Sequence, residues 1–269
     1  MALDAPPVRR IGFAYNPTSD PAVELRERAS GWAAVHGLDH WASPAADREA
    51  LHRELPGTDI LVVLGGDGTF LRAAHAVIED DVPLLGINVG KVGFLSKVEA
   101  GELERVLAQL VAGRYSLEPR MALEGRILRG GSVPDEEPLL ALNDVVIARG
   151  SLARVVRLDT SIDSSHLASF VADGLVVASP TARNLVVTPI AGYLTTIRSV
   201  VVGPEAVVRC RVVDAHEALV SVDGREDIPL AVGDVVEVRA IERPVRLVEP
   251  EGSLPFWDLL RQKVELLPS

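Results

Sequence analysis

The chain has 269 residues, of which 48% are hydrophobic and 24% charged, and its formal net charge at pH 7 is −11. This composition excludes a disordered, collagen-like or disulfide-stapled chain, and a single cysteine is typical of a reducing compartment. The acidic balance argues against nonspecific binding to nucleic acids or acidic membrane surfaces. Because no signal sequence and no membrane-spanning apolar run is recognised, we expect a cytoplasmic protein.

Strand and helix patterns alternate in the first 115 residues. Strands are predicted at 10–15, 59–64 and 83–88, and the last two are continuous apolar runs typical of strands buried on both faces. Helices are predicted at 21–36, 70–78 and 101–112. The alternation predicts an α/β domain over residues 1–115, built on a doubly wound, Rossmann-like parallel sheet.

Short strands dominate after Tyr115. They are predicted at 139–148, 154–162, 166–179, 185–190, 197–202, 206–213, 217–222 and 234–240. The pattern predicts an all-β domain of layered sheets over residues 116–250, which we expect to bind the substrate. An amphipathic helix at 255–265 is expected to return to the first domain, so that residues 251–269 pack on it.

A glycine-rich loop, Gly65-Gly66-Asp67-Gly68-Thr69, follows the strand predicted at 59–64 and is called the first glycine loop below. Open α/β sheets bind ligands beyond the carboxyl ends of their strands, and the following helix offers free N–H groups and a positive dipole end to phosphates. The loop has neither the Walker sequence nor the dinucleotide fingerprint spacing. Asp67 either binds Mg²⁺ or assists an attacking hydroxyl in phosphoryl transfer, or it caps the helix in an Asx-type turn.

Two further segments place glycine or polar residues beside buried strands. A second glycine-rich segment spans 86–95, directly after the strand predicted at 83–88. Asn143 and Asp144 lie within an apolar strand, and because adjacent strand residues face opposite ways, one of them is expected to point into an interior or a cleft. The pair is interpreted either as a satisfied bulge or as ligand contacts.

Together these motifs resemble the NAD kinase family. The order is Gly-Gly-Asp-Gly-Thr with Phe-Leu-Arg-Ala, then Gly-Ile-Asn-x-Gly-x-Val-Gly-Phe-Leu, then Asn-Asp, then Asp-Gly-Leu-Val-Val-Ala-Ser-Pro-Thr, over residues 60–181. The first motif is shared with lipid kinases and phosphofructokinases, whereas the second distinguishes NAD kinases. The resemblance implies phosphoryl transfer from ATP to the 2′-hydroxyl of the NAD adenosine ribose, a divalent cation such as Mg²⁺, and a homodimer or homotetramer.

The resemblance also implies roles for individual residues. Asp67 would be the catalytic, base-like residue acting on the 2′-hydroxyl. The positions matched to nucleotide binding are Gly66, Gly68 and Thr69 at the phosphates, Asn143 and Asp144 at the ribose, Asp173 at the nicotinamide end, and Thr181 and Asp223 at further contacts. The family normally has Glu where Asp144 stands. Lys91 lies where a basic or polar residue is frequent, with a solvated loop lysine as the alternative. The six histidines lack metal-ligand spacing, so no metal-binding residue is predicted.

The pattern departs from the family after Thr181. A Gly-Ser-Thr-Ala-Tyr run and a helix of small residues normally follow, but here the strand predicted at 185–190 comes almost at once. The short connection suffices if the flanking strands are antiparallel and is too short if they are parallel. Three accounts are open: a weak or inactive homologue that senses NAD or NADP, a kinase with altered substrate contacts, or a gene model that lacks a segment.

Overall fold

The protein is described by a computed structural model that covers residues 7–90, 93–132, 137–151, 154–180, 183–193, 195–254 and 256–265. The chain divides into two compact units. The first unit consists of the chain up to Pro119 and from Val245 onward, and the second is Arg120–Pro244. The ranges expected from the sequence were 1–115 with 251–269, and 116–250.

The first unit alternates strands and helices along the chain. Its elements up to residue 120 are β1 (Arg10–Tyr15), α1 (Asp20–Val35), β2 (Asp39–Pro44), α2 (Arg48–Glu54), β3 (Ile60–Leu64), α3 (Asp67–Asp80), β4 (Leu84–Asn88), β5 (Val98–Glu99), α4 (Leu103–Val111) and β6 (Tyr115–Arg120). The three strands and three helices predicted from the sequence are present. β2 and α2 escaped prediction because each buries only one residue, Ser43 and Leu51 respectively, and so lacks a hydrophobic period.

The second unit is made of strands. They are β7 (Leu123–Leu128), β8 (Leu139–Ala141), β9 (Asp144–Arg149), β10 (Val156–Ile162), β11 (Ser165–Ala172), β12 (Gly174–Ala178), β13 (Leu185–Ile190), β14 (Val200–Val202), β15 (Val208–Asp214), β16 (Ala218–Val222), β17 (Arg225–Leu230) and β18 (Val235–Ala240). They form two six-stranded sheets, ordered β11-β10-β15-β18-β7-β8 and β14-β13-β12-β9-β16-β17. Buried aliphatic side chains from both sheets form one core, which confirms the prediction of layered sheets.

The chain then returns to the first unit through β19 (Val245–Pro250) and α5 (Phe256–Glu265). β19 pairs in parallel with β4 through Leu247 and Leu84, and the seven-stranded sheet runs β2-β1-β3-β4-β19-β6 with β5 also paired to β4. β1, β3 and β4 are parallel neighbours. The predicted fold class, a Rossmann-like domain, a layered β domain and a returning helix, is therefore confirmed, whereas β19 was not predicted.

Two strands predicted as continuous runs are interrupted at polar residues. The run 139–148 divides into β8 and β9 at Asn143, and the run 166–179 divides into β11 and β12 at Asp173. In both cases the chain leaves one six-stranded sheet and enters the other. The polar residues thus lie where the chain changes sheets, outside the regular ladders.

The connection after β12 is a short one between antiparallel strands. β12 and β13 pair in antiparallel register, with Ala178 opposite Val186. Residues 179–184 therefore suffice to join them, and a longer crossover is not needed. Thr181 lies outside the described residues. In the part of the chain that the structure covers, no helix combines the length and apolarity of a membrane span.

Candidate active site

The first glycine loop joins β3 to α3 at the carboxyl edge of the parallel sheet. Helix α3 begins at Asp67, and its N-cap residue, Gly66, is extended and provides no side-chain hydrogen bond to the helix. The first N–H groups of a helix have no partners within it, so this end of α3 presents uncapped amides and a positive dipole. Gly66 and Gly68 are exposed there. The loop can therefore bind an anion with backbone groups alone.

Thr69, in the first turn of α3, is buried and packs against this loop. It is 7% exposed, and its N–H donates to the carbonyl of Gly66 over 2.9 Å. A Cβ on Gly65 would lie 2.7 Å from the Thr69 Oγ1, so the close approach requires glycine at that position. The phosphate role assigned to Thr69 from the resemblance stays a prediction. In the structure its side chain lies against Gly65.

Asp67 is held by the second glycine loop, defined here as residues 93–96. Its Oδ2 accepts from the N–H of Phe94 over 2.9 Å, and its Oδ1 accepts from the N–H groups of Leu95 and Ser96 over 3.1 Å each. The carboxylate lies so close to Gly93 that a Cβ there would stand 1.9 Å from Oδ1. Asp67 therefore does not cap its own helix, and its role toward a hydroxyl or Mg²⁺ stays a prediction.

The second glycine loop is itself anchored to the sheet by Lys97. The Lys97 Nζ lies 2.5 Å from Oε1 of Glu249 on β19 and 3.5 Å from Oε2 of Glu118 on β6. Burial raises the pKa of Glu249 above its usual range, although the neighbouring Lys97 ammonium lowers it. This largely buried cluster fixes the end of the loop that holds Asp67.

Two buried polar side chains near the glycine loops have no hydrogen-bond partner among the described residues. They are Asn88, the last residue of β4, at its Nδ2 atom, and Ser96 at its Oγ atom. Asn88 is 4% exposed, and its Oδ1 lies 3.8 Å from the place that a Cβ of Gly66 would take. Sequence reasoning did not single out either residue, although Asn88 is the polar end of an otherwise apolar strand.

The second unit brings Asn143, Asp144 and Asp223 together. Asp223 lies in the turn between β16 and β17 with φ of +50°, and Gly224 follows with φ of +65°. The Asp223 carboxylate accepts from the N–H groups of Leu142, Asn143 and Asp144 over 2.8, 2.8 and 3.1 Å. Asp223 therefore holds the backbone between β8 and β9, where the chain passes from one six-stranded sheet to the other. The side chains of Asn143 and Asp144 are both partly exposed.

Ser179, the residue directly after β12, also bonds to the backbone of this cluster. Its Oγ donates to the carbonyl of Leu142 over 2.7 Å, and its N–H donates to the carbonyl of Asn143 over 2.8 Å. Asp173 lies at the other sheet change, where Arg149 binds it with Nε at 2.8 Å from Oδ1 and Nη2 at 3.2 Å from Oδ2. Sequence reasoning missed Ser179 and Arg149 as partners of the predicted residues, since neither stands near them in the sequence.

Burial in this cluster raises the pKa of the Asp144 carboxyl, and the charge of Asp223 raises it further. A carboxyl whose pKa is raised on folding stabilises the fold below its unfolded pKa, near 3.8, and loses that contribution as the pH rises through the folded value. Ionised Asp144 therefore destabilises the fold at neutral pH.

We expect Asp144→Asn to raise the free energy of unfolding at pH 7 by about 0.5 kcal/mol, a modest amount because the group is only half-buried. The gain should vanish near pH 2.5, well below the unfolded pKa of 3.8, where the wild-type carboxyl is protonated in both states. Urea unfolding at the two pH values measures this, with the exposed Asp214→Asn as control. A variant less stable than the wild type at pH 7 would show that the charge of Asp144 is compensated.

The two groups of residues belong to different units. Gly66, Asp67, Gly68 and Thr69 lie in the first unit, while Asn143, Asp144, Asp173 and Asp223 lie in the second. Lys91, like Thr181, lies outside the described residues. Over the residues that the structure describes, no three His, Cys, Asp or Glu side chains gather in a metal-binding cluster.

The chain is similar in sequence to known kinases over almost its whole length. A family model described as the ATP-NAD kinase N-terminal domain matches residues 23–115. The NAD kinase of Syntrophotalea carbinolica is 33% identical over 283 residues, covering 96% of this chain and 98% of that protein. The NAD kinase of Symbiobacterium thermophilum is 40% identical over 224 residues, covering 77% and 78%. An alignment over 283 residues exceeds the 269 of this chain, so the first relative contains residues without a counterpart here.

Two solved structures share the fold. Yeast NADH kinase complexed with NADH has a TM-score of 0.79 and 22% identity, over 97% of this chain and 88% of that chain. An NAD kinase from Archaeoglobus fulgidus in complex with ATP has a TM-score of 0.73 and 21% identity, over 96% of this chain and 100% of that chain.

Proposed function

The chain belongs to the NAD kinase family, and from that premise we propose that it transfers the γ-phosphoryl group of ATP to the 2′-hydroxyl of the adenosine ribose of NAD. A bond forms between the 2′-oxygen and the γ-phosphorus, the bond to the β,γ-bridging oxygen breaks, and ADP and NADP are released. The observation that carries this proposal is the uncapped N-terminus of α3, with the carboxylate of Asp67 in its first turn.

The donor phosphates would bind at the first glycine loop. The N-terminus of α3 has no side-chain cap, and Gly66 and Gly68 are exposed there, so a phosphate can approach its first amides. Thr69 would support the loop from beneath rather than through an exposed side chain. Backbone amides in fixed positions stabilise the charge that develops on the transferred group.

Asp67 would accept the proton of the 2′-hydroxyl. Its Oδ1 already accepts two N–H groups and its Oδ2 only one, so Oδ2 retains an acceptor position for the hydroxyl. The second glycine loop holds the carboxylate in one orientation, and such positioning of a base adds to its effect on the rate. The proton then passes to solvent.

Mg²⁺ fits the residues present as a companion of ATP. A magnesium ion in phosphoryl-transfer sites is held by one or two carboxylates together with the substrate phosphates. When bound, the ion neutralises charge on the donor phosphates. Asp67 is the carboxylate within the loop that could contribute to holding it.

NAD would be bound by the polar residues of the second unit. Asn143 and Asp144 are partly exposed and are assigned to the ribose, and Asp173 is assigned to the nicotinamide end. Asp223 would act by holding the backbone of the first two, in addition to any direct contact. Thr181 is assigned to the same substrate. We further propose a cytoplasmic enzyme that assembles as a homodimer or homotetramer.

A second candidate function is a sensor that binds NAD or NADP without turnover. The short antiparallel connection between β12 and β13 favours it, because residues 179–184 replace a segment that supplies dinucleotide contacts in the family. The intact first glycine loop and the held Asp67 favour the enzyme, since a sensor has no need of a base beside an uncapped helix end.

The decisive experiment measures NADP formation from NAD, ATP and MgCl₂ by the purified protein. We expect turnover that requires both ATP and NAD. The KM for NAD should be higher than in family members that carry the Gly-Ser-Thr-Ala-Tyr run, because that run supplies contacts to the dinucleotide. The control omits MgCl₂ and adds a chelator, which should abolish the rate. Binding of NAD by calorimetry without turnover would favour the sensor, and neither binding nor turnover would overturn both functions.

A further inference from the structure

Asn88 stands beside the first glycine loop without having been assigned any role. It is the last residue of β4, which pairs in parallel with β3, and the N–H of Gly65 donates to the carbonyl of the preceding residue, Ile87, over 2.9 Å. The Asn88 Oδ1 lies 3.8 Å from the place of a Gly66 Cβ. The side-chain amide of Asn88 therefore lies directly under the N-cap of α3.

The Nδ2 of this amide makes no hydrogen bond, although the side chain is buried. Asn88 is 4% exposed, and its Nδ2 has no acceptor in the described parts of the chain. A buried donor without a partner costs about 1–3 kcal/mol, and native proteins satisfy nearly all such groups. A purely structural position at the end of an apolar strand would be filled better by leucine, which has almost the same shape.

The surroundings of Asn88 select one ligand chemistry. The first N–H groups of α3 are donors, the N-terminus of the helix carries a partial positive charge, and the unsatisfied atom of Asn88 is also a donor. Donors that converge on one place bind an anionic oxygen and repel a cation. Rotation of the amide by about 180° interchanges Oδ1 and Nδ2, and it brings the donor to the Gly66 side, where Oδ1 now lies.

We infer that Asn88 is a phosphate-binding residue, and that its Nδ2 donates to a phosphoryl oxygen of the donor nucleoside triphosphate at the first glycine loop. The inference deepens the proposed function and rests on it for the identity of the ligand. It adds a side-chain donor from β4 to a site otherwise built from backbone amides of α3. Asn88 thereby strengthens the binding of the phosphate donor without contacting the acceptor hydroxyl.

The test uses two variants that keep the shape of the side chain. Asn88→Leu removes the polar atoms, and Asn88→Asp replaces the donor by a negative charge. Asn88→Leu should raise the KM for ATP by about 10- to 100-fold, the loss expected for a hydrogen bond to a charged group, with the KM for NAD unchanged. Asn88→Asp should raise it further, since its carboxylate repels the phosphates. The Tm of Asn88→Leu should equal or exceed that of the wild type.

Ser43→Ala is the matched control, because Ser43 is also 4% exposed and lies near the carboxyl end of β2 in the same sheet. It should leave both KM values unchanged. An unchanged KM for ATP in Asn88→Leu, or a lowered Tm with both KM values altered alike, would overturn the inference.

A binding measurement separates this inference from the proposed function. Inorganic tripolyphosphate is titrated into the wild type and Asn88→Leu by calorimetry, which needs no turnover. Weaker binding by the variant supports the role of Asn88 even in a protein that forms no NADP, and equal binding excludes it. A wild type that forms no NADP contradicts the proposed function alone.

Discussion

Asp67→Ala is expected to lower kcat for NADP formation by roughly 10³-fold, within the range seen when a positioned base is removed. The variant loses the acceptor for the 2′-hydroxyl proton, and the N–H groups of Phe94, Leu95 and Ser96 lose the carboxylate that they hold. Initial rates at saturating NAD and ATP measure the effect. The KM for ATP should change much less, because backbone amides bind the phosphates.

Two further variants show which property of Asp67 matters. Asp67→Asn keeps the shape but turns an N–H₂ group toward one of the three backbone donors, so it should be nearly as inactive as the alanine variant. Asp20→Ala is the matched control, since Asp20 is an exposed acid in the first turn of α1. It should keep wild-type kcat. If Asp67→Ala retained more than about a tenth of kcat, the carboxylate would serve only to hold the second glycine loop.

The fold of the first unit could be predicted because its central strands are uniformly apolar. β3 and β4 bury every residue, which only a strand covered on both faces does, and this pattern located the first glycine loop at a strand end. β19 could not be recognised as their neighbour. Its pairing with β4 joins Leu247 to Leu84, which are far apart in the sequence, and nothing in a local pattern records that pairing.

The site could be predicted only where its residues form a local motif in the sequence. The motif around Asp67 is local, and it indicates a phosphate-binding loop through glycines and a helix start. The partners of Asp67 lie 27 to 29 residues further along, and those of Asp223 lie about 80 residues earlier. Hydrogen bonds from backbone N–H groups leave no trace in residue type, so the sequence revealed these carboxylates but not what they hold.

The second large loss of activity is expected from a substitution in the second glycine loop. Gly93→Ala should lower kcat by at least about 100-fold, because the new Cβ would stand 1.9 Å from Oδ1 and 2.5 Å from Cγ of Asp67. The short Asp67 side chain cannot turn away without leaving the three N–H groups that bind it. Either the loop or the carboxylate must move, and the base is then no longer in position to accept the proton of the 2′-hydroxyl.

The Gly93→Ala variant should lose some stability but remain folded. The hydrogen bonds at stake lie at a partly exposed loop, so water can replace them, and we expect a loss of about 1–3 kcal/mol in the free energy of unfolding. Gly101→Ala is the control, since nothing stands within 4 Å of a Cβ there. It should keep both activity and Tm.

A double-mutant cycle tests whether the clash with Asp67 is the cause. In an Asp67→Ala background the carboxylate that the Gly93→Ala methyl would strike is gone, so the second substitution should lower kcat by little more than a factor of two. Independent effects would multiply instead, leaving the double variant about 100-fold below Asp67→Ala. That multiplicative result would mean that Gly93 acts through the path of the loop and not through Asp67. The expected non-additivity would show that Gly93 is needed because it leaves space for the carboxylate of Asp67, which acts on the hydroxyl.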